Sequence, residues 1–160
     1  MRTVHSSLVL LIRDDQILLA LKKRGFGMGR LNGAGGKLEP GETAEEAMIR
    51  EAEEEIGVTP TLYHKVARHD FILGGAEPWR MITHTYLCTD WNGEPTESEE
   101  MKPQWFAQSD IPYTQMWDDD IVWLPLVLAG KLLETRFEFN ADEQMRRAEL
   151  SIVDSLEETS

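Results

Sequence analysis

The chain has 160 residues, 41% of them hydrophobic, and its 16 Lys and Arg face 29 Asp and Glu, giving a formal net charge of −13. A chain of this length is expected to form one domain over residues 1–160, because it buries roughly two-thirds of its unfolded surface. The acidic balance argues against binding of duplex nucleic acid but not against small phosphorylated ligands, since a divalent cation neutralises their charge locally.

The first elements are predicted to be strands. Val4–Ile12 and Gln16–Leu21 are rich in aliphatic residues and are separated by three polar residues, a pattern typical of a hairpin. The glycine-rich stretch Gly25–Gly36 follows, and its backbone is free to turn sharply or to approach a ligand closely.

A helix is predicted over residues 44–56. Thr43 and Glu46 have the spacing of a capping box, and Gly57 is placed to end the helix. Ile49, Ala52 and Ile56 recur at helical spacing and are expected to form a buried stripe. Three glutamates, Glu51, Glu54 and Glu55, fall on a neighbouring face.

The rest of the chain mixes strands and helices without regular alternation. The pattern predicts strands at Thr61–Leu73, Trp79–Thr89, Gln104–Ala107 and Thr135–Phe139, and a second helix at Ile121–Ala129. The expected fold class is therefore α+β with a mixed sheet.

The glutamates of the first helix allow two interpretations. They could form a solvated face stabilised by pairs at i,i+4 spacing, such as Glu46 with Arg50 and Arg50 with Glu54. That interpretation leaves the mutual repulsion of three carboxylates unexplained, whereas a hard divalent cation prefers such a cluster of oxygens. A solvated face is nevertheless the default for most acidic helices, so the residues alone leave both interpretations open.

The same segment resembles the Nudix family. Gly36, Glu42, Arg50-Glu51, Glu54-Glu55 and Gly57-Val58 fill every fixed position of the Nudix box, and the soft departure is Ala52, which is smaller than the usual aliphatic residue. The resemblance implies a Nudix fold, a mixed β-sheet sandwiched between helices, and Mg²⁺-dependent hydrolysis of nucleoside diphosphate linkages, with Mn²⁺ as the other suitable cation.

The resemblance also implies roles for the residues of the box. Glu51, Glu54, Glu55 and the Gly35 carbonyl are expected to ligate the metal, while Arg50 holds the carboxylates in place. Either Glu51 or Glu55 would accept the proton of the attacking water.

Three segments beyond the box resemble the mammalian-type MutT homologues, which destroy oxidised purine nucleoside triphosphates such as 8-oxo-dGTP and 2-hydroxy-dATP: Lys22–Lys37, Glu97–Phe106 and Met116–Pro125. This implies release of the monophosphate and pyrophosphate, which sanitises the nucleotide pool. The alternatives are another Nudix substrate, such as ADP-ribose, a dinucleotide polyphosphate or the 5′ end of RNA, and a Nudix-fold binding module without catalysis. A complete carboxylate set argues against the last.

The resemblance assigns the substrate site residue by residue. It implies a further metal ligand, Glu100, and the following substrate-binding residues: Ser7, Lys22, Phe26, Asn32, Ala34, Gly35, Gly36, Lys37, Phe71, Trp117, Asp118, Asp119, Asp120 and Trp123. Four positions depart from the family pattern: Ser7 stands for Thr, Leu31 for Trp, Ala34 for Phe and Asp118 for Pro. These departures leave the preferred base open.

The three consecutive aspartates at 118–120 can be interpreted from the chemistry of their carboxyl groups. Two adjacent aspartates in an apolar cleft do not both ionise easily, so one can stay protonated as a donor while the other accepts. Such a pair would serve several purine tautomers. The alternative is an acidic loop that caps the helix beginning at 121, and the residues alone would favour it. The family resemblance, together with the flanking Trp117 and Trp123, favours base recognition.

The remaining residues suggest no second chemistry. Cys88, the single cysteine, is expected to be a buried packing thiol, and Leu8–Ile12 is too short for a signal peptide or membrane span. A cytoplasmic monomer without membrane partners is therefore expected. His64, His69 and His84 lack metal-ligand spacing, and Trp79 and Trp91 are expected to be packing or surface aromatics.

Overall fold

The computed structural model describes residues 1–158. The predicted domain extends to residue 160, so its last two positions lie outside the described residues. In chain order the elements are β1 (Arg2–Arg13), β2 (Gln16–Lys22), β3 (Leu31–Asn32), β4 (Ala34–Lys37), α1 (Ala44–Ile56), β5 (Thr59–Leu73), β6 (Trp79–Asn92), β7 (Met101–Ala107), α2 (Asp120–Leu128), β8 (Leu132–Phe139) and β9 (Met145–Val153). Two short 3₁₀ turns, Gln108–Asp110 and Tyr113–Gln115, precede α2.

The strands form a mixed sheet. Its main path runs β3-β2-β1-β6-β5-β8-β9, with β4 paired to β1 and β7 paired to β2. The pairs β1/β6 and β5/β8 are parallel, and the other pairs are antiparallel. The predicted α+β class with a mixed sheet is confirmed.

The sheet is buried on both faces, as the continuous aliphatic run in β1 shows. Leu8 and Leu10 belong to one core, and Val9 and Leu11 belong to another. Because successive strand residues point to opposite faces, the two cores lie on opposite sides of the sheet. Helix α2 packs into the first core and helix α1 into the second. The sheet therefore lies between the two helices, as the resemblance implied.

Helix α1 matches its prediction at both ends. The Thr43 Oγ1 accepts from the Glu46 N–H at 3.1 Å, and the Glu46 Oε1 accepts from the Thr43 N–H at 3.0 Å. Gly57, at φ 71°, ends the helix in the left-handed conformation that glycine tolerates. The buried stripe differs in detail, because Ile49 is only half-buried.

Three strands were not predicted from the sequence: β3, β4 and β9. Strand β4 lies inside the glycine-rich stretch, and β9 is largely exposed. Helix α2 begins at Asp120 rather than Ile121. Within residues 1–158, neither helix has the length and hydropathy needed to cross a membrane.

Candidate active site

Arg50 organises the carboxylates of the predicted box. Its Nε donates to Glu42 Oε2 at 2.7 Å, its Nη2 donates to Glu42 Oε1 at 2.9 Å, and its Nη1 donates to Glu51 Oε1 at 2.8 Å. The hydrogen bond from Arg50 lowers the pKa of Glu42 to about 2. Glu54, which is more exposed, lies 3.4 Å from the same guanidinium. Arg50 therefore fixes the position of Glu51, the role that the resemblance implied.

Gly36 leaves room for the Glu51 carboxylate. A Cβ at Gly36 would lie 2.7 Å from Glu51 Oε1, a distance that no real Cβ tolerates without displacing its neighbour. The glycine strand β4 and the helix α1 thus approach each other at this point because position 36 has no side chain.

Glu55 is the buried carboxylate of the set, with 3% exposure. The Gly35 N–H donates to its Oε1 at 2.8 Å, and Lys22 Nζ lies 3.9 Å from its Oε2. Burial raises the pKa of Glu55 to about 7, and the charges of Glu51 and Glu100 act in the same direction. The sequence placed Glu55 on a charge-collecting face but gave no sign that it would be buried.

Glu100 approaches this cluster from the segment before β7. It accepts from Arg24 Nη2 at 2.5 Å, and this hydrogen bond lowers the pKa of Glu100. Within residues 1–158, no group of three or more His, Cys, Asp or Glu side chains is already spaced to hold a metal ion. The donor chemistry nevertheless fits a hard divalent cation, because the predicted ligands are all oxygens and the buried Glu55 carboxylate is desolvated and close to two like charges.

A cavity of about 450 Å³ opens beside the glycine strand. It is lined by twelve of the predicted substrate residues: Ser7, Lys22, Phe26, Asn32, Gly35, Gly36, Lys37, Phe71, Trp117, Asp119, Asp120 and Trp123. Gly35 and Gly36 connect the cavity to the carboxylates, because both line it and both contact glutamates of α1.

Two predicted substrate residues do not line this cavity, and the structure corrects their assignment. Ala34 is buried, and its side chain belongs to the core on the α1 side of the sheet. Asp118 points to the β8–β9 connection, where its Oδ2 accepts from the Met145 N–H at 2.9 Å.

The two other aspartates are buried inside the cavity wall, each with 3% exposure. Trp123 Nε1 donates to Asp119 Oδ2 at 2.8 Å, and the Trp117 N–H donates to Asp120 Oδ2 at 3.1 Å. Burial raises the pKa of Asp119 to about 6, and burial together with the Asp119 charge raises the pKa of Asp120 well above its ordinary value. Although Asp119 occupies the N-cap position of α2, its side chain makes no capping hydrogen bond. A capping role does not account for it.

Several cavity residues were missed by sequence reasoning. Trp79, expected to be a packing or surface aromatic, lines the cavity and meets Phe26 edge to face at a centroid distance of 5.8 Å. His69 also lines it; its ring is fully buried, Nδ1 is 2.8 Å from Thr135 Oγ1, and burial lowers its pKa to about 3. Alternation along β5 from the predicted Phe71 would have indicated His69. Further unpredicted lining residues include Arg2, Arg30, Leu73, Met81, Thr83 and Phe139.

Comparison with known proteins agrees with this geometry. The model of the NUDIX domain matches residues 1–127. The chain therefore belongs to the Nudix family, and its fold and its carboxylate helix are those of a Nudix hydrolase.

Individual proteins resemble this chain over nearly its whole length. The chain is 43% identical over 150 residues to the oxidized purine nucleoside triphosphate hydrolase of Danio rerio, covering 94% of this chain and 96% of that protein. It is 42% identical over 149 residues to the protein of the same name from Mus musculus, covering 93% and 95%. A crystal structure of a MutT protein from Bacillus halodurans superposes with a TM-score of 0.79 at 24% identity, covering 92% and 97%, and supports the fold.

Proposed function

We propose that this chain hydrolyses oxidised or otherwise modified purine nucleoside triphosphates, such as 8-oxo-dGTP and 2-hydroxy-dATP, to the monophosphate and pyrophosphate in a Mg²⁺-dependent reaction. The observation that carries the proposal is the buried pair Asp119 and Asp120 in an aromatic cavity that reaches Gly36, the first residue of the Nudix box. The two vertebrate relatives, named for this activity, support it.

The aspartate pair suits a modified base. A protonated carboxyl donates a hydrogen bond and an ionised carboxylate accepts, so a buried pair in which both pKa values are raised can present both functions. Guanine has an acceptor at N7, whereas 8-oxoguanine carries a proton there and gains an acceptor at position 8. A carboxyl donor next to a carboxylate acceptor in the desolvated cavity wall therefore distinguishes guanine from 8-oxoguanine, because one of the two bases leaves a hydrogen-bonding group unpaired.

The cations of the cavity suit the phosphates. Lys22, Lys37 and Arg2 line the cavity together with the backbone of the glycine strand. Lys22 also lies 3.9 Å from Glu55, so it can contact the phosphates while remaining near the carboxylates. These residues bind and orient the triphosphate across the boundary between the base cavity and the Nudix helix.

The carboxylates suit the chemical step. When bound by Glu51, Glu54, Glu55, Glu100 and the Gly35 carbonyl, Mg²⁺, or Mn²⁺ in its place, supplies charge neutralisation at the phosphates and lowers the pKa of water. Arg50 holds Glu42 and Glu51 in fixed positions through the hydrogen bonds described above. Glu51 or Glu55 then accepts the proton of the attacking water.

A panel of nucleotides tests the proposal. We expect 8-oxo-dGTP and 2-hydroxy-dATP to exceed dGTP and dATP in kcat/KM with Mg²⁺, with pyrophosphate and a monophosphate separated by anion-exchange chromatography. Excess chelator should abolish turnover. Release of orthophosphate, or a higher kcat/KM for ADP-ribose or a dinucleotide polyphosphate, would assign the chain to a different Nudix activity.

A further inference from the structure

Arg30 connects three segments that meet at the cavity. Its guanidinium carbon lies 3.9 Å from the ring centroid of Trp117, and its Nη1 lies 3.4 Å from Glu143 Oε1 in the β8–β9 connection. Its backbone is fixed within the glycine-rich stretch, directly before β3, where its N–H donates to the Gly27 carbonyl and its carbonyl accepts from the Lys22 N–H. Arg30 and Trp117 both line the cavity.

The contact with Trp117 depends on the shape of the guanidinium. A planar guanidinium stacks on an indole face, which an ammonium cannot do to the same extent. The Arg30 side chain is 29% exposed, so the stack is partly desolvated and its attraction is only partly screened by water. The other ring neighbours of Trp117 are Phe26 at 5.2 Å and the edge of Phe139 at 5.7 Å between centroids.

The far end of Arg30 rests on an ordered turn. Asn140 Oδ1 accepts from the backbone N–H groups of Asp142 and Gln144, and Glu143 has a positive φ of 61° within this turn. The same connection is tied to the segment of Trp117 by the Asp118 hydrogen bond from Met145 described above. Glu143 is therefore held in place and can anchor the guanidinium.

We propose that Arg30 is a positioning residue for base binding. It stacks on Trp117 and is anchored by Glu143, so the indole is held in the orientation in which it meets the purine. The inference deepens the proposed function and rests on it, since it takes the occupant of the cavity to be a purine nucleotide. The Arg30 guanidinium contacts Trp117 and Glu143 rather than the carboxylates of the box, so its effect belongs to binding rather than to the chemical step.

Steady-state kinetics of Arg30→Met, Arg30→Lys and Glu143→Gln test the proposal. We expect Arg30→Met to raise the KM for 8-oxo-dGTP about 2-fold to 30-fold, the range for a partly desolvated cation–π contact, with kcat within about twofold of the parent chain. Arg30→Lys keeps the charge and should raise KM less. Glu143→Gln keeps the stack and loses a half-exposed ion pair, so it should raise KM by less than about fivefold.

Arg147→Met is the matched control. Arg147 pairs with Glu149 at 2.7 Å on β9 and does not line the cavity, so its removal should leave KM unchanged. Metal-free calorimetry with the products 8-oxo-dGMP and dGMP gives a second readout, in which the Kd of Arg30→Met should rise by the same factor as KM.

The outcomes separate this inference from the proposed function. If the parent chain has the same kcat/KM for dGTP as for 8-oxo-dGTP, the substrate proposal fails. The ratio of the KM of Arg30→Met to the KM of the parent chain still tests the role of Arg30. An unchanged KM and Kd in Arg30→Met would overturn the role of Arg30. A loss confined to the kcat of Arg30→Met would also overturn it, and so would an equal rise of KM in Arg147→Met.

Discussion

Replacing Asp119 with Asn separates base recognition from the rest of the site. The Asp119 carboxyl is buried and accepts from Trp123 Nε1 at 2.8 Å, so the amide of Asn can keep that bond with its oxygen and then presents a fixed NH₂ to the cavity. A purine that donated to the carboxylate would meet a donor instead. One buried hydrogen-bonding group left unpaired costs about 1–3 kcal/mol, or roughly 5-fold to 150-fold in kcat/KM.

The assay compares substrates rather than absolute rates. The kcat/KM values of Asp119→Asn and Asp120→Asn for 8-oxo-dGTP, 2-hydroxy-dATP and dGTP should fall by different factors, so that the order of preference changes. Asp118→Asn is the matched control, because Asp118 lies outside the cavity and an Asn oxygen can still accept from the Met145 N–H. Its order of preference should equal that of the parent chain.

Two results would refute this reasoning. If Asp119→Asn and Asp120→Asn lose activity by the same factor on all three substrates, the aspartates support the fold of the wall and do not read the base. If neither variant changes the order of preference, the cavity is not where the base is distinguished.

Three further predictions concern the carboxylates and the buried imidazole. Glu51→Gln and Glu55→Gln should each fold but lower kcat by roughly 10²–10⁴-fold, the range for a positioned base, as measured by pyrophosphate release; near-normal rates would show that neither carboxylate takes part in catalysis. Gly36→Ala should lower kcat about 10²-fold, because its Cβ would displace Glu51 from Arg50, and an unchanged rate would contradict that packing. His69 has a folded pKa of about 3 against 6.5, so the unfolded state takes up its proton first and stability falls as pH drops below 6.5. Urea titrations should show the parent chain losing about 1.6 kcal/mol more than His69→Leu between pH 6.5 and 5, and parallel losses would mean that His69 does not titrate this way.

The parts that the sequence predicted well are those that depend on local interactions. Helix α1 was predicted to the residue, because its capping box and Gly57 act within a few positions of the chain. The strands β1 and β2 were predicted from aliphatic runs that are buried on both faces. The positions of the Nudix box followed from the resemblance, and the hydrogen bonds of Arg50 supply the physical reason for one of them.

The strands that were missed owe their structure to distant partners. Strand β4 contains two glycines and is extended because it pairs with β1, as in the register of Gly36 with Ser7. Strand β9 carries charges at Arg146, Arg147 and Glu149 and is largely exposed, which suits the edge of a sheet but gives no apolar alternation to detect. Neither strand pairing can be predicted from the residues that are neighbours in the sequence.

The cavity itself depends on an irregularity in β5. Tyr63 and Lys65 lie on the α1 side of the sheet, and strict alternation would place His69 and Phe71 there too. The register shifts between Lys65 and Ala67, however, and Val66 and Ala67 both join the core on the α2 side. One extra residue in the strand reverses every later side chain. His69 and Phe71 therefore face α2 and pair with Thr83 and Met81. The His69 ring lies 4.4 Å from the Trp123 ring between centroids, and both strand residues line the cavity together with Trp123 and the aspartate pair.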